Sequence, residues 1–165
     1  MDFHKKYERM NTRREARSRA LQTLYAYEIS GNTIEQILND PIWGKPTGKK
    51  MIGFYEKLVK KTIKNINEFD ELIKNKSQNW KFERITIIDK VIMRQALCEF
   101  LHFSDIPPKV SIDEAIEISK IFSTDKSGKF INGLLDSIFL DLVKEGRIFK
   151  EGRGLDDRKS QKKNN

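Results

Sequence analysis

The chain has 165 residues, of which 38% are hydrophobic and 34% are charged, enough for one domain with a hydrophobic core. Its net charge of +8 is concentrated at the ends, because residues 1–19 and 147–165 each hold seven Lys or Arg against three Asp or Glu. Basic ends of this kind attract polyanions such as nucleic acid or acidic membranes. The single Cys98 excludes an intrachain disulfide and predicts a cytoplasmic location, and no apolar run is long enough to span a membrane.

The first predicted helix follows a basic arm formed by residues 1–11. Thr12 and Glu15 have the spacing of a capping box, in which each side chain accepts from the other residue's backbone N–H. Gly31 is predicted to end the helix, since glycine adopts the left-handed conformation of a helix C-terminus.

Three arginines cluster at the start of this helix, namely Arg13, Arg14 and Arg17. The helix dipole favours anions at that end, so the cations cost some stability there. A solvated basic helix face is one interpretation of the cluster. Binding of an anionic ligand is the other, and it supplies the functional reason that the placement otherwise lacks.

Three further helices are predicted before the first pair of prolines. A short helix begins at Thr33, a long one spans residues 50–76, and a strongly apolar one spans residues 85–103. The apolar helix contains Arg94, and a buried charge must be paired. We predict an internal ion pair of Arg94 with Glu99 or with another carboxylate.

A pair of prolines, Pro107 and Pro108, forces the chain to start a new helix. Ser111 is predicted to be its N-cap, with Glu114 completing a capping box. A polar loop over residues 123–127 is predicted to separate this helix from the last one.

The start of the last helix is predicted to carry Lys129, Phe130, Ile131, Asn132 and Gly133. A cation, an aromatic ring and an amide at a helix N-terminus suit an anionic ligand. Phe130 is interpreted either as a stacking platform or as a core residue. Gly133 costs about 1 kcal/mol relative to alanine, and we predict that close approach of another helix compensates for this cost.

The pattern as a whole predicts an all-α protein of about seven helices, with a helical domain over residues 12–149. Residues 150–165 have one apolar side chain, Leu155, and are predicted to be a basic disordered tail. The two histidines and one cysteine have no metal-ligand spacing, and no catalytic or nucleotide-binding pattern is present. We therefore predict no cofactor and no enzymatic activity.

Three stretches of the sequence resemble the NusB family of transcription antitermination factors: residues 13–28, residues 54–73 and residues 80–136, which include the motif KFINGLLD. Asp113 departs from the family pattern, which usually has Asn there. The resemblance implies two packed helical subdomains and a non-enzymatic RNA-binding factor. It also implies a NusE-type small-subunit ribosomal protein as partner, boxA RNA as ligand, and association with RNA polymerase.

The resemblance also assigns roles to individual residues. Some family members self-associate through the RNA-binding region, so a homodimer without RNA is a further expectation. The RNA-binding positions implied are Arg13, Arg14, Arg17, Lys129 and Phe130, and the partner-facing positions are Tyr25 and Asp89.

Two alternative functions are compatible with this sequence. The same fold forms the N-terminal RNA-binding domain of RNA cytosine methyltransferases, although no cofactor domain follows here. A helical protein-interaction module that does not bind RNA is the second alternative.

Overall fold

The computed structural model of the chain describes residues 12–40, 50–77 and 82–158, and the predicted arm over residues 1–11 lies outside this part. The described residues form seven α-helices and no strand, as predicted. They divide into two compact units, Met1–Lys64 and Asn65–Asn165. The helices are α1 Arg13–Ser30, α2 Ile34–Asn39, α3 Ile52–Lys64, α4 Ile66–Lys76, α5 Ile87–His102, α6 Pro108–Phe122 and α7 Asp125–Lys144.

The first unit is formed by α1, α2 and α3, and its caps are those that the sequence predicts. Thr12 N donates to Glu15 Oε2 over 3.0 Å, and Glu15 N donates to Thr12 Oγ1 over 3.2 Å, which completes the capping box. Gly31 has a φ of 70°, in the left-handed region, and ends α1. Thr33 caps α2 in the same way as Thr12 caps α1.

The prediction of one continuous helix over residues 50–76 is wrong, because this segment forms two helices, α3 and α4. Asn65 has φ −111° and ψ 19°, which is not helical, and it separates α3 from α4. Asparagine competes with helical hydrogen bonding through its own side chain, which makes it a suitable break. The apolar stripe continues across the break in the sequence, and for that reason periodicity alone cannot reveal it.

The second unit is built around α5, in which every residue from 91 to 100 is buried. Arg94 lies within this run and forms a bidentate salt bridge with Asp70 of α4. The Nε–Oδ1 and Nη2–Oδ2 distances are 2.7 and 2.9 Å. The predicted internal ion pair of Arg94 is therefore confirmed, with Asp70 as the carboxylate.

The helix α6 starts earlier than predicted, and Ser111 is not its N-cap. The helix begins at Pro108, and Pro107 occupies the capping position. Proline is favoured in the first turn because its missing N–H has no helical partner there. Ser111 instead lies buried within the helix, where its Oγ donates to Glu99 Oε1 of α5 over 3.0 Å.

The helix α7 also starts earlier than predicted, at Asp125, with Thr124 as its N-cap. Lys129 and the four residues after it therefore lie one turn or more inside the helix and not at its N-terminus. The prediction for Gly133 is wrong as well, because a Cβ atom there would meet nothing within 4 Å. The close approach is at Gly128, whose Cβ would lie 3.3 Å from Ser119 Oγ of α6.

The first part of the predicted disordered tail is ordered. Lys150 Nζ donates to the backbone carbonyls of Glu99 and Phe103 at the end of α5, over 2.9 and 2.7 Å. A 3₁₀ turn, Gly152–Arg158, follows, and a Cβ on its Gly154 would lie 2.0 Å from the carbonyl oxygen of Ser104. Disorder is thus a wrong prediction for residues 150–158, while residues 159–165 lie outside the described part.

None of the helices in the described ranges combines the length and apolar character that crossing a membrane requires.

Candidate nucleic-acid interface

Two of the three arginines at the start of α1 lie against one aromatic ring of α3. The guanidinium carbons of Arg13 and Arg17 lie 4.9 and 5.4 Å from the ring centroid of Phe54, both within the range of a cation–π interaction. We call Arg13, Arg14, Arg17 and Phe54 the arginine cluster. Arg13 and Arg17 are four residues apart in α1 and therefore share one helix face, so both side chains reach the ring of Phe54.

Members of the arginine cluster differ in what they can offer to a ligand. Arg13 and Arg14 are exposed, whereas Arg17 is only 4% exposed. A phosphate can therefore approach Arg13 and Arg14, whereas Arg17 is buried beside the ring of Phe54. Sequence reasoning missed Phe54 as a member of this cluster.

Two of the tyrosines in the first unit, Tyr25 and Tyr55, have different surroundings. Tyr25, predicted to face a protein partner, is half-buried on α1. Tyr55 of α3 is fully buried, and its hydroxyl lies 2.7 Å from Thr23 Oγ1. Burial raises the pKa of Tyr55 above its ordinary value of 10.0, and the hydrogen bond with Thr23 opposes that shift only in part.

In the second unit Phe130 lines a pocket of about 270 Å³ at the start of α7. The ring of Phe130 is half-buried, and the cationic side chains of Arg84 and Lys126 are exposed at the same pocket. We call this the Phe130 pocket. Lys126 precedes Phe130 by four residues on α7, a spacing that could have identified it in the sequence.

Asp89 lines the Phe130 pocket too, so the structure brings one predicted partner residue and one predicted RNA residue together. Its side chain is buried, with Oδ1 accepting from Ser123 Oγ over 2.7 Å and Oδ2 accepting from Ser127 Oγ over 2.8 Å. Asp89 therefore ties the first turn of α5 to the junction of α6 and α7. Its role at a partner surface stays a prediction.

Lys129 does not line the Phe130 pocket, although it is the neighbour of Phe130 in the sequence. It is exposed and, together with Asn132 and Lys120, lines a separate groove of about 320 Å³ beside α6. Lys120 is paired with Glu117 over 2.7 Å. Consecutive residues of a helix point about 100° apart, which explains why Phe130 lines the Phe130 pocket and Lys129 lines the adjoining groove.

Comparisons with known proteins agree with this architecture. A family model described as the NusB family matches residues 14–139. The Salinibacter ruber transcription antitermination protein NusB is 44% identical over 150 residues, which cover 88% of this chain and 92% of the relative.

Solved structures give the same result for the fold. The structure of T. maritima NusB superposes with a TM-score of 0.72 and 34% identity, covering 79% of this chain and 92% of that one. A structure of the antitermination factors NusB and NusE in complex with double-stranded RNA superposes with a TM-score of 0.63 and 22% identity, covering 78% and 96%. At 22% identity the second match speaks for the fold alone. From the family match and the similarity to the Salinibacter ruber protein, we conclude that this chain belongs to the NusB family.

Proposed function

We propose that this chain is a transcription antitermination factor that binds unpaired boxA-type RNA together with a NusE-type small-subunit ribosomal protein. Its membership of the NusB family supports the antitermination role. A protein of the same fold has been solved with NusE and double-stranded RNA, which motivates testing a NusE-type protein and an RNA as ligands of this chain, and the preference for unpaired RNA rests on the Phe130 pocket. The chain acts in the cytoplasm by binding, as an adaptor to the RNA polymerase antitermination complex, and not by catalysis.

The observation that carries the RNA-binding proposal is the Phe130 pocket. An aromatic ring that is half-buried at a concave site offers a stacking surface, and stacking of one unpaired base on such a ring contributes about 1–3 kcal/mol. Arg84 and Lys126 supply positive charge for the phosphates on either side of that base. A pocket of this kind suits single-stranded RNA, whose bases can be splayed out.

The arginine cluster supports RNA binding through phosphate contacts. Arg13 and Arg14 are exposed and carry full positive charge, and such contacts add affinity without selecting a sequence. Lys129 adds a further cation beside the groove next to α6. Self-association of the chain through these same surfaces is expected to compete with RNA.

The partner protein is expected to contact Tyr25 directly, because that ring is half-exposed and has a polar tip. Asp89 is buried, so we assign it an indirect role. It holds the junction of α6 and α7 in place through Ser123 and Ser127, and thereby shapes the surface that the partner and the RNA meet.

A three-way titration tests this proposal. Labelled boxA-type RNA is titrated with this chain alone, with the NusE-type protein alone, and with both. We expect the mixture to bind at least tenfold more tightly than either protein, and by reciprocity RNA should tighten the protein–protein contact by the same factor. A scrambled RNA of equal length is the control. If the mixture binds no more tightly than the better single protein, the adaptor mechanism is wrong.

A further inference from the structure

Gly133 lies inside the 20-residue helix α7, on its exposed face, where neither packing nor backbone conformation requires a glycine. A Cβ atom at Gly133 would meet nothing within 4 Å, and its φ is not positive. Gly128 of the same helix differs, because its Cβ would crowd Ser119. Glycine inside a helix lowers helix stability relative to alanine, so the fold alone gains nothing from Gly133.

The position of Gly133 relative to the proposed RNA site supplies a reason for the missing side chain. It follows Lys129 by four residues and Phe130 by three, and residues at these spacings share a helix face. Side chains on a helix tilt toward its N-terminus, so each covers the surface over the preceding turn. A side chain at position 133 would therefore cover the surface between Lys129 and Phe130.

We propose that the bare backbone at Gly133 is the surface on which the nucleotide stacked on Phe130 rests, so that Gly133 is a positioning residue for RNA. A nucleotide lying across position 133 would reach both the Phe130 pocket and the adjoining groove of Lys129 and Asn132, and the groups of these two depressions match its parts. Phe130 offers a ring for the base, Lys129 offers a cation for the phosphate, and the exposed amide of Asn132 can donate to or accept from the ribose. This inference rests on the function proposed above and names the contact surface within it.

Three variants test the role of Gly133 in the full chain. Gly133→Gln adds a side chain over the patch, and Gly133→Ala adds only a methyl group. Leu140→Gln introduces the same amide two turns further along α7, at a residue that is 52% exposed, and serves as the matched control. The Tm of each variant is measured by thermal denaturation. Its RNA affinity is measured by titration with labelled boxA-type RNA in the presence of the NusE-type protein.

We expect the stability and the RNA affinity of the Gly133 variants to move in opposite directions. Gly133→Ala should raise Tm by about 2–4 °C through helix propensity. Gly133→Gln should keep or raise Tm and weaken RNA binding by about 5- to 150-fold, the range for the loss of one base–aromatic stack. Leu140→Gln should leave RNA affinity unchanged, and no variant should alter partner binding measured without RNA.

Two results would overturn the inference in distinguishable ways. If the unmodified chain binds RNA with its partner and Gly133→Gln binds equally well, Gly133 has no positioning role and the proposed function stands. If Gly133→Gln weakens partner binding in the absence of RNA, the patch contacts protein and not a nucleotide. A failure of the unmodified chain and partner to bind the RNA would overturn the proposed function and this inference together.

Discussion

The arginine cluster of the first unit and the Phe130 pocket of the second both combine cations with one phenylalanine, yet they use the ring in different ways. The Phe54 ring carries the guanidinium groups of Arg13 and Arg17, so the ring positions the cations. The Phe130 ring lines an open pocket, with Lys126 and Arg84 beside it, so the cations flank the ring. Similar residue types thus favour phosphate contact in one unit and base stacking in the other.

The largest expected effect comes from removing the carboxylate beneath the Phe130 pocket. Asp89→Ala removes the carboxylate that accepts from Ser123 and Ser127, and hydrogen bonds to a charged group contribute about 1.5–3 kcal/mol each, while the two hydroxyls keep their bond to each other. We expect the free energy of unfolding to fall by about 2–4 kcal/mol, measured by urea denaturation. Asp136→Ala, which removes an exposed carboxylate of the same unit, is the control. Equal stability of the two variants would contradict the internal role of Asp89.

The next test asks whether the Phe130 ring serves a ligand or the core. Phe130→Ala should weaken RNA binding by about 1–3 kcal/mol and lower stability by less than a core substitution does. Phe100→Ala, at a ring with 0% exposure, should cost about 3–5 kcal/mol and provides the reference for a core phenylalanine. Thermal melts and RNA titrations of both variants decide the question. An intact RNA affinity with a core-like loss of stability would make Phe130 a core residue.

Salt dependence distinguishes the two regions directly. Arg13→Ala combined with Arg14→Ala should flatten the slope of log K against log salt by about one to two units, since each phosphate contact to a single strand contributes about 0.7. Phe130→Ala should leave that slope nearly unchanged, because stacking releases no counterion. Lys60→Ala combined with Lys64→Ala removes the same charge from exposed positions of α3 and controls for net charge. If the arginine variant and the unmodified chain have equal slopes of log K against log salt, the arginine cluster does not contact the RNA.

The smallest expected effect is a pH dependence confined to the first unit. Burial raises the pKa of Tyr55 in the folded state above its ordinary value of 10.0. As the pH rises, the Tyr55 hydroxyl therefore loses its proton in the unfolded chain at a lower pH than in the folded chain. The contribution of Tyr55 to stability is complete below that pH and is lost as pH rises through its folded pKa. Urea denaturation of the unmodified chain and of Tyr55→Phe between pH 8 and pH 11 should show a steeper loss in the unmodified chain. Identical pH profiles would contradict this assignment.

Much of the fold and part of the candidate site could be predicted from the sequence. The all-α class, the capping box of Thr12 and the family were confirmed. The roles of Arg13 and Phe130 remain predictions. The starts of α6 and α7 were misplaced because Ser111 and the residues after Ser123 satisfy local capping rules equally well in more than one register.

The sequence by itself determined those features that depend on residues three or four positions apart: the caps, the helical periodicity and the cluster of arginines at the start of α1. Tertiary structure alone decided which of the chosen side chains are exposed. Arg17 is buried and lies beside a ring from another helix, and Asp89 is buried and bonded to hydroxyls that lie 34 and 38 residues away in the sequence. The placement of Lys150 likewise involves long-range contacts, since its Nζ donates to carbonyls 47 and 51 residues earlier in the chain. Contacts between residues so far apart in the sequence leave no periodic pattern in it. They nevertheless determine which side chains are exposed, and only an exposed side chain can bind a ligand.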